Sequence, residues 1–122
     1  MVMNMGTFHV TIEVGDVDSV RFQRMEALVD TGATYPAIPR DVLTSLGYRP
    51  IERRPFKLAD DRIVEYDVGV VSLRLDGRTL PVVCVFGDEG SEPLLGAVAF
   101  ENFLLAADPV NTHLVPVAGR LM

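Results

Sequence analysis

Asp76-Gly77 is all that separates two long, largely apolar arms, Val68 to Leu75 and Arg78 to Phe86. Both residue types tolerate the positive φ angles of a type I′ turn, whose twist matches that of paired strands, so the arms fold back as a β-hairpin. A chain committed to that pairing builds a sheet. Phe8, Val10, Ile12 and Val14 alternate with His9, Thr11 and Glu13, the period of a strand with one buried face. Phe56 to Ala59 and Ile63 to Tyr66 flank the polar tip Asp60-Asp61-Arg62 and read as another hairpin.

The remaining segments fill in around these. Val20 and Phe22 share one face whereas Met25, Ala27 and Val29 share the other, which calls for a bulge or bend between residues 22 and 25. Pro50 and Pro55 bracket Ile51 to Arg54, an edge strand, because proline cannot donate to an inner ladder. Pro39, the apolar Val42, Leu43 and Leu46, and then Gly47 mark a short helix. Ala97, Phe100, Phe103 and Leu104 recur at helical spacing after Leu94-Leu95-Gly96. Asp108-Pro109-Val110-Asn111 forms a turn, and Leu114, Val115 and Val117 a closing strand. About seven or eight strands with two short helices define an all-β class, either barrel or sandwich. At 122 residues, 48% of them hydrophobic and 23% charged, the chain suits a single domain over 1–122 with its core at about 8–117.

Charge and cysteine content narrow the function classes. A net charge of −6, with Arg49, Arg53, Arg54 and Lys57 as the densest basic cluster, argues against nucleic acid as a partner. Cys84, the single cysteine, reads as a buried apolar side chain in Val82-Val83-Cys84-Val85 and requires no oxidising compartment. Met1 to Gly6 lack a basic segment followed by an apolar run, and no apolar run reaches the ~18 residues of a membrane span, so the expectation is a soluble, cytoplasmic protein. His9 and His113 without cysteine partners do not make a zinc site, and no serine-hydrolase elbow or phosphate-binding loop is present.

Ala27-Leu28-Val29-Asp30-Thr31-Gly32-Ala33 sets an acid directly after an apolar strand, where a charge is costly unless it has a purpose. Gly32 lets the backbone turn, Thr31 offers a hydroxyl, and Asp30 a carboxylate. With Leu94-Leu95-Gly96 opening a helix about sixty residues later, the chain resembles the retropepsin-like aspartic proteases, whose signature is an apolar strand followed by Asp-Thr-Gly-Ala or Asp-Ser-Gly. The likeness spans roughly residues 8 to 117. It implies a closed, β-barrel-like acid-protease fold with one or two short helices, one lobe per subunit, and termini at the dimer interface or flexible.

The resemblance also implies a homodimer acting on a polypeptide substrate with no cofactor and no metal. The chain holds no second Asp-Thr-Gly or Asp-Ser-Gly, so the second carboxylate would be Asp30 of another copy. Two such charges about 4 Å apart repel by about 4 kcal/mol at an effective dielectric near 20, which makes the pair share one proton. The ionised member would deprotonate water and the protonated one polarise the scissile carbonyl. Thr31, Gly32, Ala33, Leu94, Leu95 and Gly96 would support the site, Thr31 by reaching the partner backbone across the two-fold axis. Ala59, Asp60, Asp61 and Arg62 take the flap position, although an acidic tip differs from the glycine-rich tips of retroviral flaps. Ala37, Ile38, Val64, Val83 and Leu95 are candidate pocket walls. The alternative is a non-cleaving peptide-binding or scaffolding module of the same dimeric fold; a small-ligand barrel leaves Asp30-Thr31-Gly32 unexplained.

Overall fold

The computed structural model describes residues 7–121, so the expectations for Met1 to Gly6 and for the extreme termini fall outside the described residues. In chain order the elements are β1 (Thr7–Gly15), β2 (Phe22–Asp30), β3 (Ala37–Pro39), α1 (Arg40–Ser45), β4 (Glu52–Lys57), β5 (Ile63–Leu75), β6 (Arg78–Gly87), β7 (Leu94–Leu95), α2 (Ala97–Phe103), β8 (Leu105–Asp108) and β9 (His113–Pro116). Seven strands form one mixed sheet in the order β1-β2-β7-β3-β6-β5-β4, and β8 and β9 form a separate pair.

Turn chemistry fixes the longest pairing. Leu75 faces Arg78 across Asp76 (φ 56°) and Gly77 (φ 74°), both left-handed as a type I′ link requires. The 13-residue β5 serves two hairpins, pairing β4 with its first half and β6 with its second. Pro55 lies inside β4 rather than beyond its end, and β4 is an edge strand. That placement leaves proline's missing N–H facing no partner strand.

The expected closed barrel does not form. β4 remains an edge, and β1 meets β5 only at Glu13↔Arg74 and Val14↔Leu73. The same register would next set Gly15 opposite Ser72, but the Tyr48 hydroxyl stands between them. It donates to the Gly15 carbonyl (2.6 Å) and accepts the Ser72 N–H (3.0 Å). Closure requires a continuous, staggered ladder around the whole sheet; here a side chain ends the ladder after two pairs, and the sheet stays open.

Three smaller expectations also change. No bulge interrupts β2: its register with β1 runs unbroken from Thr7↔Asp30 to Gly15↔Phe22. Phe22 needs no core because its ring packs on Gly15 and under the Arg74 guanidinium, 3.6 Å from the ring centroid. The last strand, β9, pairs with β8 and closes nothing, while Asp108 holds their turn by accepting the Val110 N–H (3.1 Å) and the Asn111 Nδ2 (2.8 Å). Leu104 is not part of the α2 stripe; it ends the helix in a left-handed conformation and is exposed.

The core gathers the inward faces of these elements. Ile12, Val14, Ala27, Val29, Leu43, Leu95 and Phe103 are all fully inaccessible. Each buried Val, Leu, Ile or Phe contributes about 1.5–3 kcal/mol of transfer free energy. Cys84 is likewise buried and free, and burial pushes its thiol up to about 12, so it is chemically inert at neutral pH. Among the described residues no helix is long and apolar enough to cross a membrane.

Candidate active site

Asp30 is the last residue of β2, half-buried, and its carboxylate is held by its own turn. The Gly32 N–H donates to Asp30 Oδ1 (2.9 Å) and the Ala33 N–H to the Asp30 carbonyl (3.1 Å). A Cβ at residue 32 would stand 3.3 Å from that carboxylate oxygen, so glycine leaves the close approach open. Thr31 is exposed beside it and Ala33 half-buried.

β7 supports this turn from the other end of the chain. Its two residues pair in parallel with β2, Leu28↔Leu94 and Val29↔Leu95, while Leu94 also faces Ala37 of β3. Beyond it, the Ala97 and Val98 N–H groups donate to the carbonyls of Ala33 and Thr34 (2.8 and 2.9 Å). These are N–H groups of the first helical turn, which have no partner within a helix. The loop after Asp30 thus caps α2, and buried Phe100 and Phe103 fasten α2 to the core. Gly96 is the point of contact: a Cβ there would meet Ala33 O, Thr34 C and Tyr35 C at 2.8 Å each. The structure therefore brings Asp30, Gly32, Ala33, Leu94, Leu95 and Gly96 into one unit, with Leu95 fully buried in the core.

Opposite this loop lies the β4–β5 hairpin. Ala59, Asp60, Asp61 and Arg62 are exposed at its tip, where the Leu58 N–H bonds the Arg62 carbonyl (2.8 Å) and Asp61 adopts φ 68°. The tip charges pair among themselves, Arg62 Nε with Asp60 Oδ2 at 2.6 Å and Lys57 Nζ with Asp61 Oδ1 at 3.6 Å.

Between loop and hairpin runs a groove of about 550 Å³, lined by Gly32 to Tyr35 on one side, Pro55 to Leu58 and Tyr66 on the other, and Asp88, Glu92 and Leu94 at its end. Of the candidate walls only Ala37 lines it. Ile38 and Leu95 are in the core, and Val64 and Val83 border other clefts. Sequence reasoning missed Tyr35, Phe56 and Tyr66. The available signal was scarcity, since the chain has three tyrosines and no tryptophan and two of those tyrosines line the groove. Burial, and then the nearby Asp88 charge, raise the Tyr66 phenol above its ordinary value; it stays protonated and donates to Asp88 Oδ2 (3.3 Å).

The site is thus a partly exposed carboxylate on a backbone mount, with a groove beginning at Gly32, two residues beyond it. The chain belongs to the retropepsin-like aspartyl proteases: the family model described as aspartyl protease matches residues 10–98. In fold it is similar to the solution structure of Simian Foamy Virus (mac) protease, with 20% identity over 73% of this chain and 87% of that one and a TM-score of 0.52. It is also similar to the crystal structure of a retropepsin-like aspartic protease from Rickettsia conorii, with 20% identity, 84% and 77% coverage and a TM-score of 0.54. Comparison with curated protein sequences returns no match.

Proposed function

We propose that this chain is one subunit of a homodimeric aspartic endopeptidase in which Asp30 of each copy supplies one of two facing carboxylates. The observation that carries this reading is the mount itself. Asp30 ends β2 directly after the buried Ala27 and Val29 yet is itself only half-buried, its carboxylate fixed by Gly32 N–H and its loop tied through Ala33 and Thr34 to α2. A merely structural aspartate at a strand end has no need of a second segment locked against its loop. One carboxylate is insufficient for the chemistry, and the chain has one Asp-Thr-Gly, so the second comes from another copy.

In the proposed reaction the ionised Asp30 takes a proton from a water between the two carboxylates. The resulting hydroxide forms a C–O bond to the scissile carbonyl carbon as the protonated Asp30 of the second copy donates to the carbonyl oxygen. The Asp30 that took the water proton passes it to the amide nitrogen, the C–N bond breaks, and the proton on the former carbonyl oxygen returns to the other Asp30, so that the dyad again shares one proton. An extended polypeptide suits the groove, which runs between the loop and the hairpin and is lined by Tyr35, Phe56, Leu58, Tyr66 and Leu94.

Asp30→Asn is expected to preserve fold and self-association while lowering cleavage of a random peptide library by about 10³-fold or more. Full cleavage by that variant would remove Asp30 from the reaction. Peptide binding without turnover by the wild type would favour the non-cleaving module instead.

A further inference from the structure

The hydrogen bonds and ion pairs of the hairpin tip, residues 57 to 62, are made within the tip. They shape it but do not set its height above the Asp30 loop. The contacts that join hairpin to loop lie lower, at an aromatic stack. Phe56 of β4 meets Tyr35, five residues beyond Asp30, edge-on, with centroids 5.9 Å apart at 83°. On its other side it meets Tyr66 of β5 at 6.2 Å and 67°. Arg54 of the same strand donates from Nη1 to the Tyr35 hydroxyl (2.9 Å), with its guanidinium 5.6 Å from that ring's centroid. Tyr66 in turn donates to Asp88 (3.3 Å). Phe56, half-buried, is the ring that touches both Tyr35 of the loop and Tyr66 of the second arm, with the Arg54–Tyr35 contact beside it, and all three aromatic residues line the groove.

Resting on the peptidase reading, we propose that Phe56 is a positioning residue that latches the β4–β5 hairpin to the loop following Asp30 and so sets the groove width presented to a substrate. Edge-to-face geometry suits this role: the attraction is directional, it survives small sliding motions, and it is lost when either ring is removed. A groove whose width depends on one ring should lose substrate affinity when that ring is truncated, with less effect on turnover of substrate already bound.

The test compares Phe56→Ala with Phe56→Trp, which keeps an aromatic edge and adds the chain's only tryptophan, a fluorescent reporter. An extended peptide with a hydroxyethylene group replacing the scissile amide serves as probe. Phe56→Ala is expected to weaken probe affinity about tenfold, to raise KM in proportion and to leave kcat within about twofold. Phe56→Trp is expected to restore both and to shift its emission when the probe binds. Without any ligand, amide exchange at Leu58 and Asp61 should quicken about tenfold in Phe56→Ala while Val71 and Cys84 stay unchanged. Wild-type affinity together with wild-type exchange in Phe56→Ala would overturn the latch. If the wild type neither cleaves nor binds, the peptidase reading fails, and the exchange measurement still decides the latch. Should Phe56→Ala not fold, Phe56→Leu retains apolar volume without a ring, and wild-type behaviour of that variant in both measurements would overturn the proposal as well.

Discussion

Asp16 shows how a single carboxylate reports the folded state. Its side chain accepts the Val20 N–H (2.9 Å) and Arg21 Nε (3.3 Å), and the residue is 8% exposed. The backbone hydrogen bond from Val20 is the main cause that holds its carboxyl below the usual value of 3.8, with burial opposing and Arg21 assisting. A folded value below the unfolded one means that Asp16 stabilises the protein above about pH 4 and that this contribution disappears as pH falls through the lowered folded value. Thermal melts of wild type and Asp16→Asn should therefore differ most at neutral pH and draw together as pH falls below about 4; a gap that does not narrow in acid would contradict this. The unit that holds the Asp30 turn was legible in sequence through two short motifs, Asp30-Thr31-Gly32 and Leu94-Leu95-Gly96, the last glycine sitting at a backbone approach that no Cβ survives. Tyr35, Phe56 and Tyr66 were not, since they come from a loop and two strands and meet only in the folded chain.

Among elements, those declared by turn chemistry or long periodicity were readable. Asp76-Gly77 announced the β5–β6 hairpin, and Pro39 and Gly47 bracketed α1. β7 has only two residues, too few for any period, and β8 hides behind the end of α2. The barrel expectation failed for a similar reason: strand count carries no information about what stands between β1 and β5. Tyr48 stands there, and its hydroxyl serves a carbonyl and an N–H at once. Tyr48→Phe should cost about 1–3 kcal/mol, because the Ser72 N–H loses its acceptor and the Gly15 carbonyl its donor. Denaturant unfolding measures this directly, and a change below about 0.5 kcal/mol would mean that water replaces the hydroxyl without loss.

At the scale of the whole molecule, the proposed division of the active site between two copies has a quantitative signature. If Asp30 acts only as a pair, dilution into the monomer range makes the rate follow the square of total protein, so a tenfold dilution lowers it about a hundredfold. Sedimentation over the same range should show dimers giving way to monomers. A rate proportional to concentration throughout, with a monomer in the centrifuge, would rule out the shared site.

The position of β7 in the sheet bears on how the protein is made. Leu94 and Leu95 slot between β2 and β3, strands that leave the ribosome far earlier. Until those two residues emerge, the strand carrying Asp30 lacks its inner neighbour and the loop after it has no helix to cap. Assembly of the carboxylate mount thereby waits for more than sixty residues beyond Asp30 to be made, and a nascent chain stalled short of residue 94 carries the aspartate without the segment that braces its loop.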